Sequence, residues 1–281
     1  MQSSSRFLPG SQIEIIRPET QGGAIRHALF DFDGTISLIR EGWQGIMIPM
    51  MVEILLGTPN HEALAEVERV VKEYVARLTG KQTIYQMIQL SEEIVRRGGT
   101  PLAPAYYKDL YHERLSDHIR NRIADLKSGR AQPEDLSVPG SIRWLDVMKK
   151  HGVMCYLASG TDQQFVDEEA ALLGLTDYFE GIYGAQEDYV NFSKKMVIDR
   201  IIQAYQLHGS NFVAFGDGYV EIEDTKSVEG IAVGVASDEK NRCGVDEWKR
   251  SRLISAGADL IIPDFREISR LENYLFPNHR V

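Results

Sequence analysis

The stretch HALFDFDGTISL, residues 27–38, closes an apolar run with two aspartates, Asp31 and Asp33, followed by Gly34 and Thr35. Residues two apart at the end of a strand point to the same side. Two carboxylates held that close either raise each other's affinity for a proton or take a cation between them. Both outcomes serve phosphoryl transfer. One acid stays ionised as a nucleophile, and the other holds a proton for the leaving group. Gly34-Thr35 supplies a tight turn at the sheet edge where open α/β folds bind ligands. The plain alternative is an acidic turn that only ends a strand.

Three further stretches carry chemistry. CYLASGTD (155–162) is an apolar run ending in Ser159 and Gly160 ahead of a helical pattern. Backbone N–H groups at a helix start, with a serine hydroxyl beside them, suit a phosphoryl oxygen; a simple helix cap by Thr161 or Asp162 is the competing reading. NFSKKMVIDRII (191–202) puts Lys194 and Lys195 in the first turn of a helix, where the macrodipole disfavours cations. A nearby anion would account for them. FVAFGDGYVEIEDTKSVEG (212–230) fuses Gly-Asp-Gly to a buried-strand pattern. Asp217 there is a candidate ligand for a hard cation such as Mg²⁺, while Glu223 and Asp224 are explained by helix-start electrostatics alone.

Taken together, these stretches resemble a known family. DFDGT is similar to the first motif of the haloacid dehalogenase-like phosphohydrolases, and the other three stretches follow in the order of that family's remaining motifs. The resemblance covers residues 24–40 and 137–262. It implies that Asp31 attacks phosphorus and forms an aspartyl-phosphate, while Asp33 acts first as acid and then as base. It implies a Mg²⁺ held by Asp31, the main-chain carbonyl of Asp33 and Asp217, with Glu221 behind them. Ser159, Gly160 and Lys194 would bind the remaining phosphoryl oxygens. Lys194 takes the motif-three place, which leaves Lys195 on a solvated surface. One departure stands out: Val220-Glu221 occupies positions where family members often carry Asn-Asp, and Glu221 adds a methylene to the expected acid.

The elements that must position these residues show two textures. Residues 24–32, 153–158, 212–216, 231–235 and 259–262 are short apolar runs, the pattern of parallel strands buried on both faces. Helical patterns at 141–152, 162–174, 194–209 and 246–257 alternate with them, and several close on glycine. The expected fold is α/β: a Rossmann-like parallel sheet with helices on both faces. Residues 41–136 break the alternation with long 3.6-residue periodicity and no strand candidate, so an all-helical lid is expected between a core of 1–40 and 137–281. Insertion directly after the first motif matches the family's helical-cap class. The segment 128–140, rich in Ser, Gly and Pro, reads as the return linker, and 11–23 as a candidate edge strand.

Arg40, Glu41 and Trp43 follow the first motif closely enough to line a pocket, and Lys81, Gln82 and Tyr85 surround a helix start in TGKQTIYQM (79–87). Core packing is the competing reading for each of them. The loop 236–250 also follows a strand end and is expected to border the site. The apolar segment 46–57 fits lid core and dimer face equally well.

Composition bounds the partners. With 31 basic and 41 acidic residues the net charge is −10 and no basic tract exists, which argues against nucleic acid. No stretch suits a signal peptide or a membrane span, and Cys155 and Cys243 stand far apart as free thiols, so a soluble cytoplasmic protein is expected. The seven histidines show no ligand spacing. The expected substrate is a small phosphorylated metabolite, hydrolysed as a phosphomonoester. The alternatives are a mutase, a phosphonate hydrolase using Lys81 to form an imine, or a non-catalytic module that binds a phosphometabolite. The sequence gives no reading of an oligomeric partner.

Overall fold

The computed structural model describes residues 6–277 apart from 21, 24 and 187–193, and gives Lys194 by its backbone alone. The chain runs β1 (Arg6–Phe7), β2 (Glu14–Ile15), β3 (His27–Phe30), α1 (Gln44–Leu56), α2 (Leu64–Leu78), α3 (Thr83–Arg96), α4 (Pro104–Lys127) and α5 (Ser141–Lys150). It continues with β4 (Met154–Asp162), α6 (Gln163–Leu172), β5 (Phe179–Ala185), α7 (Lys194–Tyr205), β6 (Phe212–Gly216), α8 (Tyr219–Ser227), β7 (Ile231–Val235), α9 (Glu247–Ala256), β8 (Leu260–Ile262) and α10 (Ile268–Leu275). The strands form one sheet in the order β1-β2-β8-β7-β6-β3-β4-β5. From β8 to β5 every pairing is parallel, and β2 adds antiparallel to β8. The segment 11–23 therefore contributes a strand, but one place in from the edge: β2 pairs with β8 on one side and with β1 on the other, and β1 is the outermost strand.

Burial on both faces explains the consecutive apolar runs. Along β3, Ala28 and Phe30 join one buried cluster and Leu29 the other. Val213 and Phe215 of β6 alternate with Phe212 and Ala214 in the same way. One face packs on α5, whose Trp144 is fully buried against Phe215 and Phe265. The opposite face packs on α7 through Ile198 and Ile201. β5 was not anticipated from its sequence. It is an edge strand of mostly half-buried residues with glycines at 181 and 184, so it carries neither a continuous apolar run nor a clean alternation.

Five helices, α1 to α5, and no strand separate β3 from β4, and the first four, α1 to α4, fall within residues 41–136. Met47, Met50, Met51 and Leu55 of α1 share one buried cluster with Phe30 and Leu157 of the sheet, so the apolar segment 46–57 lies in a packed interior. No described helix is long and apolar enough to cross a membrane.

Ion pairs tie the helices to the sheet. Lys108 of α4 meets Asp162 at 2.7 Å, and Arg122 donates to the carbonyls of Ile39 and Glu41 and to the Glu41 carboxylate. A buried pair joins Arg40 to Glu169 of α6 through Nε and Nη2 at 2.9 and 2.8 Å, with side chains 8% and 4% exposed. Burial pushes the Glu169 carboxyl up to about 7, opposed by Arg40 and reinforced by the charge of Asp33. A buried ion is costly mainly when its partner is lost. Arg40→Met should therefore lower the unfolding free energy by about 3–5 kcal/mol in urea titrations, and the double variant R40M/E169L should recover most of that loss. Equal losses in the two variants would show that the pair contributes by packing rather than charge.

Candidate active site

β3 is the point where strand order reverses, with β6 on one side and β4 on the other, and open α/β sheets bind ligands beyond the strand ends at such a point. Phe30 pairs with Leu157 and with Phe215, so the three strands leave the sheet side by side. Asp31 follows β3 directly, Asp217 follows β6 directly, and Ser159, Gly160 and Thr161 form the last turn of backbone in β4. All of them line one cavity of about 100 Å³, together with Asp33 and residues of the helical insertion.

Hydrogen bonds hold the two aspartates differently. The Asp31 backbone N–H donates to the Phe215 carbonyl at 2.9 Å, and its Oδ1 accepts from the Phe32 N–H at 2.7 Å. Asp33 Oδ2 accepts from the Thr161 hydroxyl at 2.9 Å and from the Ser159 hydroxyl at 3.4 Å. Asp33 Oδ1 is buried and bonds to none of the described residues. Thr161 thus does not cap the following helix. β4 runs on to Asp162, the Thr161 hydroxyl turns to Asp33, and the Asp162 carboxylate goes to Lys108.

Gly34 makes the close approach of three loops possible. It sits at φ +75°, and a Cβ there would overlap the Asp217 carboxylate and come within 2.9 Å of Glu239 Oε1. The Asp217 N–H donates to the Thr35 hydroxyl at 3.0 Å, and the Ser237 hydroxyl donates to the Gly34 carbonyl at 2.7 Å. Gly160 plays a similar part against the insertion, since a Cβ there would lie 2.8 Å from the Lys81 carbonyl. The loop at 79–82 therefore rests on the end of β4 backbone to backbone.

A buried lysine neutralises part of this acidic pocket. Lys249 Nζ lies 2.9 Å from Asp217 Oδ2, 2.6 Å from Glu239 Oε1 and 3.2 Å from Ser237 Oγ. Burial alone would weaken its hold on the proton, but Asp217 and Glu239 more than offset that and raise it. Burial also raises the Glu239 carboxyl, with Lys249 opposing and the charges of Asp217 and Asp33 adding.

The structure brings together Asp31, Asp33, Ser159, Gly160, Asp217, Arg40, Glu41 and Lys81 around this cavity. Trp43 lines it as well while packing on the core, and the loop 236–250 borders it through Glu239. Glu221 does not line the cavity: it is fully buried beside Gly216 and Gly218, the two residues that flank Asp217. The Lys194 side chain lies outside the described residues. Lys195 is 56% exposed and pairs with Asp224 at 2.7 Å, so it is a surface residue with a partner rather than a bare cation. Among the described residues no three acidic, histidine or cysteine side chains stand in metal-binding geometry.

Thr161, Glu239 and Lys249 are not singled out for the site by the sequence, nor are Ser37 and Tyr111, which line the cavity. Thr161 was within reach, because it lies two residues beyond Ser159 on a strand and so shares its side. Glu239 sits in the loop expected to border the site, beside Asp238 and Lys240, and nothing in the pattern distinguishes it from them. Lys249 stands in DEWKRSRL beside Arg250 and Arg252, where nothing in the pattern separates a buried lysine from a solvated one.

A family model described as haloacid dehalogenase-like hydrolase matches residues 25–223. Among solved structures, the fold is similar to a predicted phosphoglycolate phosphatase from Haemophilus somnus 129pt, with a TM-score of 0.57 at 13% identity over 88% of this chain and 98% of that one. It is similar to a haloacid dehalogenase-like family protein from Streptococcus pneumoniae, with a TM-score of 0.57 at 17% identity over 88% and 98%. It is also similar to CbbY from Rhodobacter sphaeroides, solved in complex with phosphate, with a TM-score of 0.54 at 18% identity over 88% and 99%. Identities this low speak for fold alone. No curated protein matches the chain. The family match begins just ahead of β3 and runs into α8, taking in Asp31, Asp33, Ser159 and Asp217, and the chain belongs to the haloacid dehalogenase-like hydrolases.

Proposed function

We propose that the protein is a Mg²⁺-dependent phosphatase that hydrolyses a small phosphomonoester through an aspartyl-phosphate on Asp31. The observation that carries this reading is the convergence of Asp31, Asp33, Ser159 and Asp217 from three adjacent strand ends on one cavity. A non-catalytic binding module would not need two carboxylates two residues apart with separate hydrogen-bond environments.

The donor chemistry fits a hard divalent cation. The Asp31 and Asp217 carboxylates and the Asp33 main-chain carbonyl are the residues that would hold Mg²⁺, and all are oxygen donors. A positive group, the Lys249 ammonium, already stands against Asp217, and the missing side chain of Gly34 keeps that spot clear. When bound, the ion supplies charge neutralisation at the phosphoryl group and alignment with the nucleophile.

The chain's own residues do the rest. The Phe32 N–H fixes the rotation of the Asp31 carboxylate, which attacks phosphorus in line as the P–O bond to the alcohol breaks. Asp33 delivers a proton to the departing oxygen, then takes one from the water that cleaves the aspartyl-phosphate to free phosphate. The Ser159 and Thr161 hydroxyls hold Oδ2 of Asp33, and Oδ1, unbonded to any described residue, can carry the proton without breaking those contacts. The Gly160 N–H and Lys194 are assigned to the phosphoryl oxygens, joined by Ser159, whose single O–H turns from its long 3.4 Å contact with Asp33 to the phosphoryl group while Thr161 keeps hold of Asp33. Residues of the insertion line one side of the cavity and keep water from the reacting groups there.

Substrate reading falls to the insertion. Arg40 is committed to Glu169, and Glu41 to Arg122. Lys81 lines the cavity, lies 5.9 Å above the Tyr85 ring and is paired with no carboxylate among the described residues. It is the pocket cation assigned to a polar group of the substrate remote from phosphorus.

Asp31→Asn should lower Mg²⁺-dependent release of phosphate from p-nitrophenyl phosphate by about 10³-fold or more. Residual turnover near the wild-type rate would remove Asp31 as nucleophile. Asp33→Asn should slow an alkyl phosphate by about 10²-fold and the aryl ester much less, because an alkoxide needs the proton and a nitrophenolate does not. Equal slowing of both esters would remove the acid role. With substrates drawn from phosphorylated sugars, polyols and carboxylic acids, Lys81→Ala should raise KM and leave kcat nearly unchanged for the best of them; a fall in kcat at constant KM would place Lys81 in the chemistry instead.

A further inference from the structure

The carboxylates in this pocket are held by a group that the four sequence motifs do not include. Lys249 is the third residue of α9, whose Asp246 cap accepts from the Lys249 backbone N–H at 2.9 Å. A cation in the first turn of a helix opposes the macrodipole, and burying an ammonium costs more again. Helix stability therefore does not explain its place. Two carboxylates do: Nζ sits 2.9 Å from Asp217 and 2.6 Å from Glu239, with the Ser237 hydroxyl at 3.2 Å. The same Ser237 donates to the Gly34 carbonyl, which ties the ammonium to the turn that follows Asp31 and Asp33. No side chain fits at Gly34 without striking Asp217, so the ammonium, both carboxylates and that turn share one small volume.

We propose that Lys249 is a built-in cation that competes with the divalent ion for Asp217, and so sets how weakly the site holds its metal. This inference rests on the metal site of the proposed function. Two positive charges that share one carboxylate repel each other, and in an enclosed pocket that repulsion is poorly screened. Glu239 is the counterweight: it draws the ammonium toward itself and away from Asp217. Lys249 is thus a positioning residue. It need not touch the phosphate, and its effect is read in metal affinity before any turnover.

The test is Mg²⁺ binding to the full chain by isothermal titration calorimetry, with thermal unfolding followed at increasing Mg²⁺. Lys249→Met should bind Mg²⁺ about tenfold more tightly than wild type and gain a larger rise in Tm on adding the ion, because the competing charge is gone. Lys249→Arg, which keeps the charge, should stay near the wild-type affinity. A Lys249→Met affinity equal to or weaker than wild type overturns the proposal while leaving the metal site standing. Absence of Mg²⁺ binding in wild type and variants alike overturns the metal site itself, and this inference with it. Should Lys249→Met not fold, the charge-balanced double variant K249M/E239Q replaces it. The double variant must bind Mg²⁺ more tightly than Glu239→Gln alone, and the reverse order rejects competition.

Discussion

Asp31, Asp33, Asp217 and Glu239 all line one small cavity, and like charges gathered that closely must each be met by a donor or a cation. The surrounding structure follows from that constraint. Asp31 takes a backbone N–H, Asp33 takes two hydroxyls from the end of β4, and Asp217 and Glu239 share one ammonium from α9. Each counter-group comes from a different element, so the pocket is assembled only when the sheet, α9 and the loop before it are all in place.

The sheet supplies the convergence. A parallel pair of strands on either side of β3 sends three chains out of the same edge, and the short loops that follow keep their polar residues near that edge. Gly34 lets those loops meet, because the volume of a side chain there is already taken by the carboxylates of two others. Strength and function are coupled at this point: the contacts that orient the acids also bind the first loop to β6 and to the strand beyond it.

The insertion answers a different need. Its helices share buried surface with the sheet through α1, and its ion pair of Lys108 with Asp162 falls at the end of β4 next to the cavity. Its loop lies on Gly160 with no side chain between. Enclosure of this kind lowers the local dielectric, which strengthens every charge pair inside and raises the cost of any left unpaired. That is why the pocket's arginine, its glutamates and its buried lysine are matched so closely.

The local information in the sequence determined a good deal. Runs such as FVAFG and IAVGV could be nothing but buried strands, and the acids at 31, 33 and 217 were bound to leave the sheet at its carboxyl edge because each stands directly beyond such a run or two residues on. The helical texture of 41–136 and a strand within 11–23 were equally legible, though the sheet places that strand between β1 and β8 and not at its edge. Tertiary structure decided what periodicity does not encode. Thr161 turned to Asp33 instead of capping a helix, Glu221 went into the interior while Glu239 came to the pocket, and Lys249 was drawn inward from a run of basic residues. A charged side chain follows the nearest opposite charge, and that neighbour is brought close by packing between elements distant in the chain.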